Sequence, residues 1–75
     1  MNKQRRKDIS DARDLIQRAK DVLEGARDDE REAYDNMPEG LQNSERGQQT
    51  DTNASALESA CDSLDEVISS LDEIE

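Results

Sequence analysis

The residue types that usually carry out catalysis are scarce in this chain. There is no histidine, the commonest general base, and the single cysteine, Cys61, stands at a predicted core position with no plausible base. A glycine-rich phosphate loop and a Glu-x-x-His pair are both missing. Asp51, Asn53 and Ser55 have the spacing of the first calcium ligands, but Ala56 replaces the glycine that a calcium loop needs. We therefore expect no enzyme activity and no metal or cofactor, so that any function should rest on binding.

The middle of the chain is the first candidate for a binding site. It places the only aromatic residue near turn-forming residues, a serine that can cap a helix, and an arginine. A nucleotide could be held there, with Arg46 and the first backbone N–H groups of a helix on the phosphate and Tyr34 stacking on the base. The alternative is an ordinary turn and cap without a ligand. The candidate residues are Tyr34, Asn36, Pro38, Glu39, Leu41, Ser44, Glu45 and Arg46.

The second candidate is a surface of negative charge. The chain has 20 acidic and 10 basic residues, and no basic residue follows Arg46. The acidic residues that we expect to bind a partner are Asp62, Asp65, Glu66 and Asp72. Such a face either keeps the protein soluble or is directed at a basic site, as when a protein imitates nucleic-acid phosphates. Direct binding to nucleic acid or to anionic membranes is disfavoured, because like charges repel.

A seven-residue repeat indicates two helices that pack together. In the first half, alanine occupies the d positions of the heptad, and Ile9, Ile16 and Leu23 occupy a positions. In the second half, Leu57, Leu64 and Leu71 occupy d positions, with Ala54, Cys61 and Ile68 at a. The pattern predicts a helix over about residues 7–36, a loop over about 37–49 and a helix over about 50–74. A start of the second helix as early as Ser44 is the alternative.

Two helices joined by a loop of this length usually fold back on each other. We expect an all-α fold, a single helical-hairpin domain over residues 1–75, in which the small alanine row receives the large leucine row. The basic start should then lie beside the acidic end of the second helix (Lys3, Arg5, Arg6 and Lys7 beside Asp65, Glu66, Asp72, Glu73 and Glu75). Because Leu15, Val22, Ala60, Val67 and Ile74 widen the apolar stripes at g, two hairpins should associate into a four-helix bundle.

The chain also resembles a group of short, acidic helical-hairpin accessory proteins of tailed bacteriophages. The matching segments are the basic start at residues 1–7, the run Glu32-Ala33-Tyr34-Asp35-Asn36-Met37-Pro38-Glu39-Gly40-Leu41-Gln42, then Ser44-Glu45-Arg46-Gly47, and the acidic repeat at residues 64–71. The resemblance implies a binding protein that blocks or sequesters a host or defence component with a basic surface. A structural or assembly coiled coil is the competing expectation. No apolar segment follows the basic start as in a signal peptide, so we expect a location in the bacterial cytoplasm.

Overall fold

Three helices make up the computed structural model, which describes residues 1–74: α1 (Lys3–Asp35), α2 (Glu39–Gln42) and α3 (Glu45–Asp72). The long helices α1 and α3 pack side by side, and α2 is a single turn between them. The Cα atoms span 58 × 15 × 13 Å, the dimensions of a rod two helices wide. The all-helical class and the packed helix pair predicted from the heptads are confirmed.

Side-chain caps determine where the long helices begin. The Asn2 side chain accepts a hydrogen bond from the Arg5 backbone N–H (2.8 Å), so α1 begins four residues before the predicted start at residue 7. In the same way the Ser44 hydroxyl accepts from the Gly47 N–H (3.3 Å), and α3 begins at Glu45. The predicted start near residue 50 is therefore wrong, whereas the earlier alternative at Ser44 agrees with the cap.

The polar stretch at the start of α3 is helical because its side chains find partners without leaving the helix. The Thr50 hydroxyl donates to the Arg46 carbonyl (3.0 Å), and the Gln49 amide donates to the Asn53 side chain (2.9 Å). Burial of Ala54 against α1 adds tertiary stabilisation that helix propensity does not include.

The connection between α1 and α3 is correspondingly shorter than the predicted loop. Pro38 halts α1, and its carbonyl accepts from the N–H groups of Leu41 and Gln42, which forms the turn α2. The Gln42 side chain reaches back to the Tyr34 carbonyl (2.9 Å), and the Ser44 hydroxyl donates to the Leu41 carbonyl. The connection is thus tied to the ends of both long helices.

The buried core is one row of α3. Gly47, Ala54, Cys61 and Ile68 follow each other at seven-residue intervals and are all buried. From α1 the half-buried a residues Ile9, Ile16 and Leu23 contribute, while the α3 leucines lie half-buried at the margin.

The predicted packing of alanines against leucines is wrong, because Ala12, Ala19 and Ala33 are exposed. Helix α1 is rotated so that its a and e rows face α3, and this rotation moves the alanine d row to the edge of the seam.

Replacing either of two helical glycines by alanine should change the stability of the protein, in opposite directions. A Cβ on Gly47 would collide with the carbonyl oxygens of Leu41 and Gln42, whereas a Cβ on Gly25 has no neighbour within 4 Å. We expect Gly47→Ala to destabilise the protein by about 1–3 kcal/mol through overpacking. The matched control Gly25→Ala should stabilise it by about 1 kcal/mol through helix propensity. Thermal unfolding followed by circular dichroism at equal protein concentrations measures both, and equal melting temperatures for the two variants would contradict the close approach of α2 to α3.

Candidate functional site

A ladder of ion pairs joins α1 and α3 along one edge of the hairpin. Its three rungs are Arg13–Asp72, Lys20–Asp65 and Arg27–Glu58. Successive rungs are seven residues apart on each helix, and the two residue numbers add up to 85 in every rung. A constant total means that one helix ascends as the other descends, so the hairpin is antiparallel. The ladder therefore defines which residues of α1 and α3 lie at the same level.

Each rung has more than one contact. The Arg13 guanidinium donates from Nε and Nη2 to the two carboxylate oxygens of Asp72, a bidentate arrangement. The Lys20 ammonium lies 2.6 Å from Asp65 and 3.1 Å from Glu24, and hydrogen bonds to these carboxylates raise its pKa. At the third rung Arg31 joins Arg27 at Glu58 Oε2, with distances of 2.9 and 3.3 Å.

The relative position of α1 and α3 along their axes, which the ladder defines, corrects one prediction about charge. Because Asp72, the last residue of α3, pairs with Arg13, the start of α1 extends past the end of α3, whereas Ile9 and Ser10 still line a hollow with Leu71 and Asp72. We call residues 3–8 the overhang; at 1.5 Å per residue it is about 9 Å long. The expected contact of its cations with Asp65 is wrong, since Lys20 holds that carboxylate. Arg6 does border the same hollow as Asp72, but the ion pair of Asp72 is with Arg13. Lys7 instead pairs with Asp11 within α1 (2.7 Å), and Glu75 of the expected set lies outside the described residues.

The four predicted acidic residues of α3 separate into two groups. Asp65 and Asp72 belong to the ladder, whereas Asp62 and Glu66 are exposed and form no ion pair with any residue in 1–74. Glu73 is exposed beside them, one heptad after Glu66. We call Asp62, Glu66 and Glu73 the acidic surface. Its charges are directed into solvent, where a partner can reach them.

On the opposite side of the hairpin, the d and g rows of α1 carry no charge between residues 12 and 26. In an antiparallel pair the g rows of both helices lie on the same side, while the e rows, here the ladder, lie on the other. Leu15 and Val22 on α1 are 63% and 72% exposed, and Val67 and Ile74 on α3 are also exposed. We call this side the uncharged face; it comprises Ala12, Leu15, Ala19, Val22 and Ala26 of α1 and Leu57, Ala60, Leu64, Val67, Leu71 and Ile74 of α3.

The absence of charge from this face extends further on α3 than on α1. The adjoining c row of α3 reads Gln49, Ala56, Ser63 and Ser70, so α3 has no ionisable side chain on its c, d or g rows from residue 49 to residue 74. In a chain that is 40% charged, such a gap needs a physical reason. Contact with another apolar surface supplies one, because charged groups are costly to bury.

The loop residues predicted to hold a nucleotide do not form one site. Arg46 borders a shallow hollow with Ser44, Glu45 and Thr50, and Tyr34 is not among the residues that line it. The Ser44 hydroxyl already accepts from the Gly47 N–H, the kind of donor that an anion would use. The other predicted loop residues Asn36, Pro38, Glu39 and Leu41 form the turn itself and lie at the surface. The arrangement stabilises the connection and does not bring a phosphate contact to the aromatic ring.

The basic members of the ladder were not among the residues predicted from the sequence. Arg13, Lys20 and Arg27 recur every seven residues, as do Glu58, Asp65 and Asp72, and the two rows occupy the same heptad position, e. Matched rows of opposite charge at e are the usual signal of pairing between antiparallel helices.

The remaining chemistry of the described residues is limited. Cys61 is 2% exposed inside the hairpin, so its thiol faces α1 and not the surface where a second copy could meet it. Among residues 1–74 no three His, Cys, Asp or Glu side chains are grouped so that they could hold a metal ion. No helix in this part of the chain is long and apolar enough to cross a membrane.

Comparisons of the chain with protein-family models, with curated proteins and with solved structures found no match. The candidate surfaces are therefore interpreted from their own geometry and charge.

The ladder predicts how stability depends on pH. Hydrogen bonds from Arg13 lower the pKa of Asp72, so its carboxylate stabilises the fold above the ordinary pKa of aspartate, and this contribution disappears as the pH falls through the lowered value. We expect Asp72→Asn to lower the melting temperature at pH 7, and the difference from wild type to shrink below about pH 4. Asp62→Asn is the control, because it removes the same charge outside the ladder. Equal effects of the two substitutions at pH 7 would contradict the pairing.

Proposed function

We propose that this protein is a non-enzymatic binding protein whose acidic surface engages a basic surface on a protein partner. The supporting observation is that Asp62 and Glu66 point into solvent, while neighbouring carboxylates of the same helix neutralise cations of α1. A carboxylate that served only to hold the hairpin would lie in the ladder. The phage resemblance supports the further proposal that the partner is a host or defence component in a bacterial cytoplasm, and that binding blocks or sequesters it.

The net charge of the chain favours a basic partner. The chain has a net charge of -10, and α3 contributes -6 of it, with seven acidic residues and one basic residue. Such a field attracts positively charged surfaces over several ångströms and speeds their encounter. At physiological salt this field decays over about 8 Å. Complex formation should therefore weaken as salt is added.

The second part of the proposal is that two hairpins associate through the uncharged face to form a four-helix bundle. Leu15 and Val22 are the most exposed large apolar residues of the described chain, and they stand beside exposed Val67 and Ile74. Burying each such side chain contributes about 1.5–3 kcal/mol. Residues 1–74 bury only three apolar side chains, so the hairpin gains little stability from its own interior.

Charges placed on the uncharged face should separate the dimer. The variant Leu15→Glu/Val22→Glu is expected to stay helical, because both side chains are exposed in the hairpin, but to bind its second copy at least about 100-fold more weakly. Ser10→Glu/Gln17→Glu adds the same charge on the opposite side of α1 and should leave association unchanged. Light scattering after size-exclusion chromatography measures the mass, which for the wild type should be twice the 8.5 kDa of the chain.

A wild-type mass of 8.5 kDa at micromolar concentration would contradict dimerisation. Loss of association in the Ser10/Gln17 variant as well would show that added negative charge, and not the uncharged face, is responsible.

The acidic surface is tested by charge reversal that spares the ladder. Asp62→Lys/Glu66→Lys should lose capture of the partner from bacterial lysate, because it replaces two exposed carboxylates by cations. Asp14→Lys/Asp21→Lys makes the same change on exposed positions of α1 and should retain capture. Captured proteins are compared by mass spectrometry at low and high salt, with release at high salt expected for the wild type.

Undiminished capture by the Asp62/Glu66 variant would contradict a role for the acidic surface. A wild type that captures nothing at either salt concentration would instead favour the competing candidate, a structural or assembly coiled coil, for which the uncharged face is the supporting observation.

A further inference from the structure

The charges of α1 run against its own helix dipole. An isolated helix is stabilised by acidic residues in its first turn and basic residues in its last turn, and α1 has neither. The overhang contains Lys3, Arg5, Arg6 and Lys7 with one acid, Asp8. Residues 28–35, near the other end of α1, contain five acids and one base (Asp28, Asp29, Glu30, Glu32 and Asp35 with Arg31). Among residues 1–74, the one ion pair of an overhang cation is Lys7–Asp11 within α1 itself, and no overhang cation forms an ion pair with α3.

We propose that the second copy packs on the uncharged face in the opposite direction, α1 against α1 and α3 against α3, so that each overhang covers the acidic stretch of the other α1. The inference rests on the proposed dimerisation and adds its orientation and its charged contact. A two-fold axis perpendicular to the helices produces this arrangement. The reversed polarity of α1 then becomes favourable, since antiparallel copies bring opposite charges and opposite dipole ends together.

The uncharged face has the symmetry that this arrangement needs. Ala19 of α1 and Val67 of α3 lie at the middle of the face. Their residue numbers total 86, one more than the total of each rung, so the two residues stand at nearly the same height along the hairpin. On α1, Leu15 and Val22 stand on either side of Ala19. The acids Asp8 and Asp29 end the g row at nearly equal distances from it, so the axis brings Asp8 near Asp29 of the second copy, a like-charge contact that the four cations of the overhang outweigh. An axis near Ala19 places Leu15 beside Val22 of the second copy. On α3 it places Ala60 beside Ile74 of the second copy, a small side chain opposite a large one.

The same axis specifies one ionic contact. Arg5 stands on the d row of α1, the row of the exposed alanines, and Asp29 stands on the g row. With the axis near Ala19, Arg5 lies beside Asp29 and Glu32 of the second copy. The contact occurs twice in the dimer because of the two-fold symmetry.

The parallel arrangement lacks these contacts. If both hairpins pointed the same way, the two overhangs would lie at the same end of the bundle, where their cations would repel each other. The acidic stretches at residues 28–35 would likewise lie together. Charge complementarity therefore favours the antiparallel copy.

A charge swap tests the contact. Arg5→Glu and Asp29→Arg should each weaken dimerisation about tenfold, because each places like charges together twice per dimer. The double variant Arg5→Glu/Asp29→Arg should restore wild-type affinity, measured by analytical ultracentrifugation at low salt. The control Arg46→Glu makes the same change as Arg5→Glu near the loop end, outside the overlap, and should have no effect. If the double variant instead lost as much dimer affinity as the two single variants together, the contact would be overturned.

The orientation is read separately from a distance between two spin labels. In the variant Glu39→Cys/Cys61→Ala, a nitroxide attached to the introduced thiol at position 39 marks the loop end of each hairpin. Antiparallel copies should place the two labels about 60 Å apart at 1.5 Å of rise per residue. A distance of about 20 Å, the width of two packed helices, would overturn the orientation while leaving dimerisation intact. A monomer in the ultracentrifuge would overturn the dimer itself and with it this inference.

Discussion

The constraint on which the hairpin depends is the pairing of two charged rows across one edge. Arg13, Lys20 and Arg27 can all meet their carboxylates only if α1 presents its e row to α3 and only at one relative level of the two helices. An exposed ion pair contributes little stability, about 0–1 kcal/mol. The ladder therefore selects among hairpins that bury similar apolar area, and the buried row Gly47, Ala54, Cys61 and Ile68 supplies the packing. Small residues in that row let α1 approach closely enough for the charged side chains to meet.

The pairing of the charged rows also determines which surfaces of the hairpin remain exposed to other molecules. Turning the e row of α1 toward α3 leaves the d and g rows outside, so Leu15 and Val22 remain in water. On α3 the ladder uses Glu58, Asp65 and Asp72 and leaves the acidic surface free. One side of the rod is thus uncharged and the other strongly negative, which separates a surface suited to self-association from a surface suited to a basic partner. The overhang adds a basic end that α3 does not cover.

The sequence predicted the class of fold and the two long helices because heptad patterns report burial directly. Prediction from the sequence failed where apolar periodicity or helix propensity pointed one way and charge pairing or capping decided otherwise. The a, d and g rows of α1 are all apolar, so periodicity alone cannot tell which of them faces α3, and the positions of Arg13, Lys20 and Arg27 decide it. The start of α3 was misplaced because Thr50, Asp51 and Asn53 are weak helix formers, whereas the Ser44 cap and the buried Ala54 keep them helical. Of the candidate site, Asp62 and Glu66 were predicted as exposed acids, but the roles of Asp65 and Asp72 depend on partners 45 and 59 residues away.

The central claim is that α1 turns its apolar g row away from α3 and toward a second copy. An isotope-filtered NOE experiment on a mixture of labelled and unlabelled protein tests it directly, because it separates contacts within a chain from contacts between chains. The account predicts contacts between chains for the methyl groups of Leu15, Val22 and Val67, and contacts within the chain only for those of Ile16 and Leu23. Contacts of Leu15 and Val22 with the α3 leucines of their own chain, without any contact between chains, would contradict it.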